Sequence, residues 1–279
     1  MTKFSAVCIA DGQNYPDALA GAYFAGRKSA PILVVHQQAP TGDKSMATIN
    51  YVKANLPAGK TVYILGGPGS VPDVVVTTLT KAGYKVERLW GQNRYGSNLA
   101  ILKKAQVPAG TDFIVCTGAQ FADALSASAT GKPVLLVAGN KLTEDQKAYL
   151  KGVKAKSFTI VGTASDVAPA IETELKTYAP VTRLNGADIY TRSIQIAKKF
   201  FPATVSHINL ADGRNFPDAL CGGPLAQKLS GPLLLTDGSA AVNEKMKTYA
   251  TGAKTIKATV FGGPASVTDA TVKYILSMN

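Results

Sequence analysis

One nine-residue stretch occurs three times in the chain and constrains the fold more strongly than any other feature. The copies are Asp11-Gly-Gln-Asn-Tyr-Pro-Asp-Ala-Leu19, Thr117-Gly-Ala-Gln-Phe-Ala-Asp-Ala-Leu125 and Asp212-Gly-Arg-Asn-Phe-Pro-Asp-Ala-Leu220. Each copy follows a short apolar run and contains a glycine, an aromatic residue three positions later, and then Asp-Ala-Leu. Three such copies in one chain are an internal repeat, so a single building unit is used three times.

Three further motifs recur in a fixed order around this stretch. An apolar run that ends in Gly-Gly or Gly-Thr occurs at 62–68, 158–163 and 259–264, and a proline followed by apolar residues occurs at 31–35, 133–137 and 232–236. The pattern Arg-Leu-x-Gly appears twice, at 88–95 and 183–190. These positions predict repeats at 1–85, 86–180 and 181–279, of which the first lacks its opening strand and helix. Units of this size are small domains and are too long for solenoid repeats.

Apolar runs alternate with helical patterns through each repeat and predict an α/β fold. The second repeat is complete, and it shows this alternation four times between residues 86 and 178. Its run Pro133-Val-Leu-Leu-Val137 is continuous and apolar, which is typical of a parallel strand covered on both faces. We therefore expect three mostly parallel sheets, each flanked by helices. Because no Ser-rich or Pro-rich linker separates the repeats, we expect them to pack as a compact trimer with pseudo-threefold symmetry.

The chain is strongly basic, with 30 Lys and Arg against 18 Asp and Glu and a net charge of +12. This excess favours a polyanionic partner, or it is simply a solvated basic surface. The basic residues are mostly Lys and are scattered, without an Arg-rich arm or an aromatic-basic pattern. Nucleic acid is therefore not an expected partner.

No apolar run in the sequence is long enough for a transmembrane helix, and no membrane partner is expected. The opening Met1-Thr-Lys-Phe4 leads directly into a short strand-like run, without the longer apolar region of a signal peptide. A chain of this kind is cytoplasmic or is a piece of a longer exported protein, and the shortened first repeat favours the second alternative.

The sequence offers no catalytic set, no metal site and no cofactor motif. Its three Cys have no CxxC spacing, its two His lie in different repeats, and the GxGxxG and P-loop patterns are absent. The pairs Asp11 with Asp17 and Asp212 with Asp218 could imitate a metal-binding carboxylate pair. The second repeat has Thr117 in place of the first member, which suits a structural turn better than catalysis. An α/β enzyme that acts on a phosphorylated or anionic small molecule remains the alternative function.

The ordered motifs resemble the cell wall binding repeat type 2 family. The shared order is Arg-Leu-x-Gly-x-x-Arg-Tyr, Asp-Gly-x-Asn-Phe-Pro-Asp-Ala-Leu, Pro-[Ile/Leu]-Leu-Leu and Val-x-x-x-Gly-Gly, and it covers essentially the whole chain. The resemblance implies a non-catalytic module that binds an anionic secondary polysaccharide of the Gram-positive cell wall without a covalent link. Such triplets occur on surface proteins and lytic enzymes of clostridia and related bacteria. A fused catalytic or surface domain and an extracellular, wall-bound location are therefore implied.

The chain departs from the family pattern in each repeat. The first repeat has no Arg-Leu-x-Gly-x-x-Arg-Tyr segment, and Ile189 stands where the third repeat should have the second Arg of that pattern. The second repeat has Thr117, Ala122 and Gly162-Thr163 where the family has Asp, Pro and Gly-Gly. The three sites cannot be equivalent. We expect a site that uses the first repeat to be the weakest, unless a separate segment completes it.

Asp17, Asp123 and Asp218 are the acidic residues present in all three repeats. One interpretation is helical, with Asn14 or Asn215 as the helix cap and the Asp in the first turn. The other is polar recognition at the carboxyl end of a sheet, where open α/β folds bind ligands. In that role the Asp would orient an Arg of a neighbouring repeat toward the ligand.

Basic, glycine and tyrosine residues complete the candidate binding site. Arginine offers a planar fork for phosphate or carboxylate groups or forms salt bridges between repeats. The glycine pairs could present backbone N–H groups to an anion or form tight turns. The tyrosines could stack on a sugar or cap a helix. The candidates are Arg88, Arg94, Arg183, Gly66, Gly67, Gly262, Gly263, Tyr95 and Tyr190.

Overall fold

The computed structural model describes residues 4–36 and 43–278, and in these ranges it contains three parallel sheets. The segment 1–3, part of the argument against a signal peptide, lies outside the described residues. The first sheet has the order β2-β1-β3-β4 and consists of β1 (Ala6–Asp11), β2 (Ile32–Val35), β3 (Thr61–Leu65) and β4 (Lys85–Leu89). The second has the order β6-β5-β7-β8 and consists of β5 (Asp112–Thr117), β6 (Val134–Val137), β7 (Ser157–Val161) and β8 (Val181–Leu184). The third has the order β10-β9-β11 and consists of β9 (His207–Asp212), β10 (Leu233–Thr236) and β11 (Lys257–Phe261).

A helix follows each of these strands. The helices of the first unit are α1 (Pro16–Arg27), α2 (Asp43–Asn55) and α3 (Asp73–Lys81), and α4 (Arg94–Ala105) leads from β4 to β5. Those of the second unit are α5 (Ala122–Ser128), α6 (Glu144–Val153) and α7 (Pro169–Leu175), and α8 (Ile189–Phe200) leads from β8 to β9. Those of the third unit are α9 (Gly223–Lys228), α10 (Ala240–Gly252) and α11 (Asp269–Ile275). No helix in the described ranges combines the length and the apolarity needed to cross a bilayer. The predicted α/β fold of three repeats is confirmed.

The strands β4 and β8 pair with the sheet of the repeat that precedes them in sequence. β4 pairs with β3 in parallel from Thr61↔Lys85 to Leu65↔Leu89, and β8 pairs in the same way with β7. The predicted boundary at 85/86 therefore falls inside β4 and the one at 180/181 just before β8, so they assign most or all of the last strand of the first two sheets to the following repeat. The helix that follows each strand contacts two units, α4 against α1 and β6, and α8 against α5 and β10. We call β4–α4 the first linking segment and β8–α8 the second.

The three units meet along an axis formed by α1, α5 and α9, which contact one another in pairs. Small residues allow this close approach, since a Cβ added at Gly223 would lie 3.0 Å from Ala22 Cβ. At one end of the axis the rings of Tyr15, Phe121 and Phe216 form a triangle with centroid separations of 5.5, 5.7 and 5.9 Å. The nearly equal sides reflect the expected pseudo-threefold arrangement.

The sheets are covered on both faces. One buried cluster contains residues of all three units, such as Cys8, Cys116 and Leu235, and fills the space around the axis. A separate cluster lies on the outer face of each sheet, where for example Val75 and Leu79 of α3 pack against the first sheet. Two covered faces explain why the strands read as continuous apolar runs rather than alternating ones.

Gln227 on α9 ties the units together at the other end of the axis. Its amide Nε2 donates to the carbonyl oxygens of Ala22 on α1, at 3.3 Å, and of Ser128 on α5, at 2.7 Å. One side chain thus bonds the central helices of all three units.

The substitution Gln227→Met tests this tie, because it keeps the length of the side chain and removes both hydrogen bonds. We expect the free energy of unfolding to fall by about 1–3 kcal/mol, since two buried carbonyl groups lose a partner. Chemical denaturation measures the change. The neighbouring exposed Lys228 provides the control, and Lys228→Met should change stability by less than about 0.5 kcal/mol. Equal unfolding midpoints for the two variants would contradict the expectation.

Candidate functional site

A cavity of about 280 Å³ lies at the carboxyl ends of the strands of the first sheet. The connections that follow the adjacent strands β1 and β3 lead to opposite sides of the sheet, to β2 and to β4. Open α/β sheets bind ligands in the crevice at such a switch point. The cavity is lined by residues of the loops that follow β1, β3 and β4, at 14–17, 67–70 and 90–97. Its volume is close to the lower end of ligand pockets, about 300 Å³.

Asp17 forms the acidic wall of this cavity. It lies in the first turn of α1, is 8% exposed, and accepts a hydrogen bond of 2.9 Å from the Ser70 hydroxyl. Burial raises the pKa of Asp17, while hydrogen bonds from Ser70 and Ser97 and the charge of Arg94 act in the opposite direction. The result is a preoriented acceptor at the edge of the crevice.

Arg94 forms the basic wall and begins α4. Its Nη1 donates to the carbonyl oxygen of Gly118, at 2.6 Å, and to the hydroxyl of Tyr15, at 3.2 Å. The guanidinium carbon also lies 5.6 Å from the centroid of the Tyr15 ring, within cation–π range. Arg94 therefore connects the first and second units and also lines the cavity. Asp17 and Arg94 are the ionisable residues of the lining.

Trp90 is the third distinctive residue of the lining and the only Trp of the chain. It is 50% exposed, and a Cβ added at Gly67 would lie 2.8 Å from its ring, so glycine at 67 lets the indole lie against the turn. Gly66 has φ +105°, and a Cβ there would lie 2.2 Å from the Asp17 carboxylate. The two predicted glycines thus form a tight turn that leaves room for an acid on one side and an indole on the other.

Arg88 and Arg183 do not line the cavity; they brace the turns beside them. Arg88 donates from Nη1 to the carbonyl oxygens of Gly66 and Val71, both at 2.9 Å, and pairs with Asp73 at 2.8 Å. Arg183 makes the same kind of contacts in the second unit, where its acceptors are the carbonyl oxygens of Gly162, Thr163 and Val167 and the carboxylate of Glu172. Each arginine therefore fastens a linking segment to the sheet that it completes.

The corresponding place in the second unit is filled by a buried ion pair. Arg192 donates from Nε to Asp123 at 2.7 Å, and the two side chains are 8% and 4% exposed. Burial raises the pKa of Asp123, and Arg192 opposes that shift. Sequence reasoning missed Arg192. A signal was present, because the second unit has Asp166 where the first has Ser70, and its linking segment has Arg192 where the first has Ser97.

The corresponding place in the third unit is open. Asp218 is exposed and accepts a hydrogen bond from Ser266, the counterpart of Ser70. It lies in a turn, because α9 begins only at Gly223. Gly262 keeps the positive φ of +112°, and within residues 4–36 and 43–278 a Cβ added at Gly263 would meet no atom within 4 Å. The three Asp residues share a turn but lie in three different environments.

Tyr95 and Tyr190 pack against the glycine of the repeated stretch in the following unit. A Cβ added at Gly118 would lie 2.6 Å from the Tyr95 ring, and one at Gly213 would lie 2.6 Å from the Tyr190 ring. Neither tyrosine caps a helix.

The capping residues differ from those expected. The caps of α4 and α8 are Asn93 and Asp188, whose side chains accept from backbone N–H groups. The suggestion that Asn14 caps α1 was also wrong, because the cap residue is Tyr15 and makes no side-chain capping bond.

The family model for cell wall binding domain 2, CWB2, matches the chain three times, over residues 2–76, 88–172 and 183–272. The chain belongs to the cell wall binding domain 2 family. The resemblance inferred from the motifs is confirmed, and membership makes the chain a cell-wall-binding module.

Two relatives of this CWB2 chain come from Bacillus subtilis (strain 168). N-acetylmuramoyl-L-alanine amidase LytC is 26% identical over 243 residues, which is 84% of this chain and 46% of the relative. The amidase enhancer is 27% identical over 232 residues, which is 82% of this chain and 30% of the relative. The CWB2 chain thus spans less than half the length of either relative.

Solved structures share the fold of this CWB2 chain. Cwp8 from Clostridium difficile aligns with a TM-score of 0.84 at 24% identity, over 100% of this chain and 48% of that one. Cwp6 from the same organism aligns with a TM-score of 0.83 at 23% identity, over 94% of this chain and 42% of that one. The three-sheet architecture is therefore shared with these two proteins.

The substitution Arg192→Met tests the buried ion pair. At neutral pH it should lower the free energy of unfolding by about 3–5 kcal/mol, because Asp123 keeps its charge in a buried site without its cation. Burial holds the folded-state pKa of Asp123 above its unfolded value. The loss should therefore be smallest below the unfolded pKa and should grow as the pH rises through the folded pKa.

Denaturation at several values between about pH 4 and about pH 8 measures this dependence. The double variant Asp123→Asn with Arg192→Met should recover much of the lost stability and lose the pH dependence. A loss that is equally large in the double variant would show that the charge of Asp123 is not the cause.

The pair Gly67→Ala and Gly263→Ala tests the wall of the cavity. Only the first places a methyl group against Trp90, because no atom of the described residues lies within 4 Å of the corresponding position at Gly263. Since Trp90 is the sole Trp, its fluorescence emission reports on this wall alone. We expect a shifted emission maximum for Gly67→Ala and an unchanged one for Gly263→Ala. Identical spectra for both variants would contradict the contact.

Proposed function

We propose that the protein is a non-catalytic module that anchors or targets a larger protein to the Gram-positive cell wall. It does so by non-covalent binding of an anionic secondary wall polymer. Family membership supports the wall as the place of action. The net charge of +12 supports an anionic partner, because it raises the local concentration of a polyanion and speeds its capture.

The observation that carries the proposal is the combination of side chains in the cavity of the first sheet. The exposed face of Trp90 suits the apolar face of a sugar ring. The Asp17 carboxylate can accept a hydrogen bond from a sugar hydroxyl, and the Arg94 guanidinium can donate to a phosphate or carboxylate group. A space of about 280 Å³ suits one sugar unit of a chain that continues into solvent.

The attached protein is proposed on the size of the relatives. Both are longer than this chain, and one of them is an N-acetylmuramoyl-L-alanine amidase. A wall-binding module joined to an enzyme concentrates that enzyme on its insoluble substrate. We therefore propose a fused lytic or surface domain as the cargo of the anchor.

Sedimentation with purified cell walls tests the function directly. We expect the protein to sediment with bare Gram-positive walls at low salt and to remain in solution after the secondary polymer has been extracted. Because the attraction is partly electrostatic and exposed, binding should weaken as salt rises. Binding that is unchanged after extraction would overturn the polymer as ligand. Turnover of a sugar phosphate by the purified chain would favour the α/β enzyme instead.

The variants Arg94→Ala and Trp90→Ala test the cavity as the seat of binding. Loss of a charge-assisted hydrogen bond should weaken wall binding by about 1.5–3 kcal/mol for Arg94→Ala. Loss of aromatic stacking should weaken it by about 0.5–1.5 kcal/mol for Trp90→Ala. Depletion assays with walls measure both changes.

The matched control is Arg27→Ala, which removes the same charge from an exposed position at the opposite end of α1. It should reduce binding only through the small change in net charge. Equal losses for Arg27→Ala and Arg94→Ala would mean that general charge, and not the cavity, binds the polymer.

A further inference from the structure

The two linking segments perform the same tasks at two places in the molecule. Their strands extend a sheet, and the last strand residue accepts a hydrogen bond from the turn glycine. The N–H of Gly66 donates to Leu89 O at 2.9 Å, and that of Gly162 donates to Leu184 O at 3.0 Å. Arg88 and its counterpart in the second segment then fasten the strand to the turn, as described above.

The helices of the linking segments cover the apolar edge strand of the next unit. Asn98 of α4 donates to Val134 O at 2.8 Å and accepts from the N–H of Leu136 at 3.0 Å, both on β6. Ser193, at the same position of α8, accepts from the N–H of Leu235 on β10 at 3.3 Å. Under these helices β6 and β10 are buried along their whole length. A tyrosine of each helix also lies on the glycine of the repeated stretch.

The boundary between the third and first units, which we call the third seam, has the matching surfaces without such a cover among the described residues. β11 is the edge strand there, and its turn keeps the glycine conformation of the other two, with φ +112° at Gly262. Asp218 is exposed, whereas its counterparts Asp17 and Asp123 are 8% and 4% exposed under the linking segments. The sheet side of the third seam is thus open where the other two are closed.

The helix side of the third seam is also open. Leu33 and Val34 in the middle of β2 are partly exposed, although their counterparts in β6 and β10 are buried. A groove of about 510 Å³, lined mainly by apolar residues, lies between the start of β2 and α9, and Leu225 on its wall is 44% exposed. The three atoms nearest to a Cβ added at Gly12 belong to Val34 and Val35, whereas at Gly118 and Gly213 the nearest atom is a tyrosine ring carbon.

We propose that the third seam is a docking site for a strand–helix polypeptide segment of the same pattern as the two linking segments. The strand lies parallel to β11, and its arginine donates to the carbonyl oxygens of Gly262 and Val267. The helix lies in the apolar groove across β2 and α9, and its tyrosine covers Gly12. The chain's own two linking segments define the sequence pattern of the occupant. The pattern begins with Arg-Leu-x-Gly and continues with Asn or Asp as the helix cap. A Tyr follows in the first turn of the helix, and an Asn or Ser stands three residues after it.

A peptide fits this seam better than the wall polymer does. The edge of β11 offers backbone groups that a parallel strand satisfies, and the groove is mainly apolar. An anionic polysaccharide has neither a strand edge nor an apolar helix face. The proposal is therefore independent of the function assigned to the cavity of the first sheet, and either can fail without the other.

Binding of a synthetic peptide of residues 178–203, which contains the second linking segment, to the full chain tests the proposal. We expect saturable 1:1 binding by calorimetry and a rise in the thermal midpoint of the chain of at least about 2 °C at saturation. Peptides with Arg183→Ala or Tyr190→Ala should bind at least about tenfold more weakly, since each loses one of the recognised groups.

The variant Leu225→Glu places a charge on the wall of the groove and should reduce peptide binding at least about tenfold. Leu225 is already partly exposed, so the fold should persist. Val74→Glu is the matched control, because Val74 is 38% exposed on α3, on the outer face of the first unit. It should bind the peptide as the unaltered chain does. Equal effects of the two substitutions would overturn the groove as the binding surface.

A second format covers the case in which the free peptide does not adopt the bound conformation. Phe4 lines the groove, so the segment can be joined in front of residue 1 through a spacer like residues 201–206, which connect α8 to β9. The fused segment should raise the thermal midpoint, and Arg183→Ala within it should cancel the rise.

Absence of binding in the first format together with an unchanged midpoint in the second would overturn the proposal. Concentration-dependent dimerisation of the chain that Leu225→Glu abolishes would also overturn it, in favour of a second copy as occupant.

Discussion

The structure depends on the backbone pairing of β3 with β4 and of β7 with β8, because this pairing fixes where the next helix begins. An unpaired edge exposes a row of N–H and C=O groups that attract other strands. In the first two units β3 and β7 are paired with the next strand of the chain, so that β4 and β8 become the edge strands. The helix that follows is then already placed to cover the edge strand of the next unit. Pairing of backbone groups thereby dictates where one unit meets another.

The same crossing of the chain creates the candidate binding site. Trp90 and Arg94 flank the connection between β4 and α4, so the strand pairing that completes the first sheet also brings them to Asp17. In the second unit Ser97 is exchanged for Arg192, which forms a buried ion pair with Asp123, the counterpart of Asp17. A buried charge must be paired to be tolerated, and Arg192 supplies that partner for Asp123. The exchange of this one serine for arginine turns the acid that lines a cavity in the first unit into one member of a buried ion pair in the second.

Much of the fold followed from repeats and apolar periodicity, because those patterns record which faces are buried. The recurring order of the motifs also offered, as one interpretation, that Asp17 and Asp123 lie at the carboxyl end of a sheet, and it placed the turn glycines at the ends of buried strands. Repeats could not show that β4 joins the sheet of the preceding unit, because a strand has the same apolar pattern in either sheet.

The roles of individual side chains were harder to predict. Arg88 could bind a ligand or brace a turn, and the direction of its side chain from the strand decides between them. Trp90 went unrecognised because the search relied on what the repeats share, and the second linking segment has Asn185 at that position. The residues that differ between the repeats make each site different from the others, and a search for shared motifs leaves these residues out.

The sequence repeat and the folded unit do not have the same boundaries, because the first strand of the second and third repeats pairs with the sheet of the preceding unit. This difference has a consequence for how the number of repeats changes in evolution. Deletion of one copy by recombination removes a sheet and also the strand and helix that close its neighbour. Insertion of one copy interrupts the ring of central helices, in which each helix already touches the other two. Intermediate copy numbers therefore leave exposed edges or displaced helices, and the triplet is gained or lost most easily as a whole.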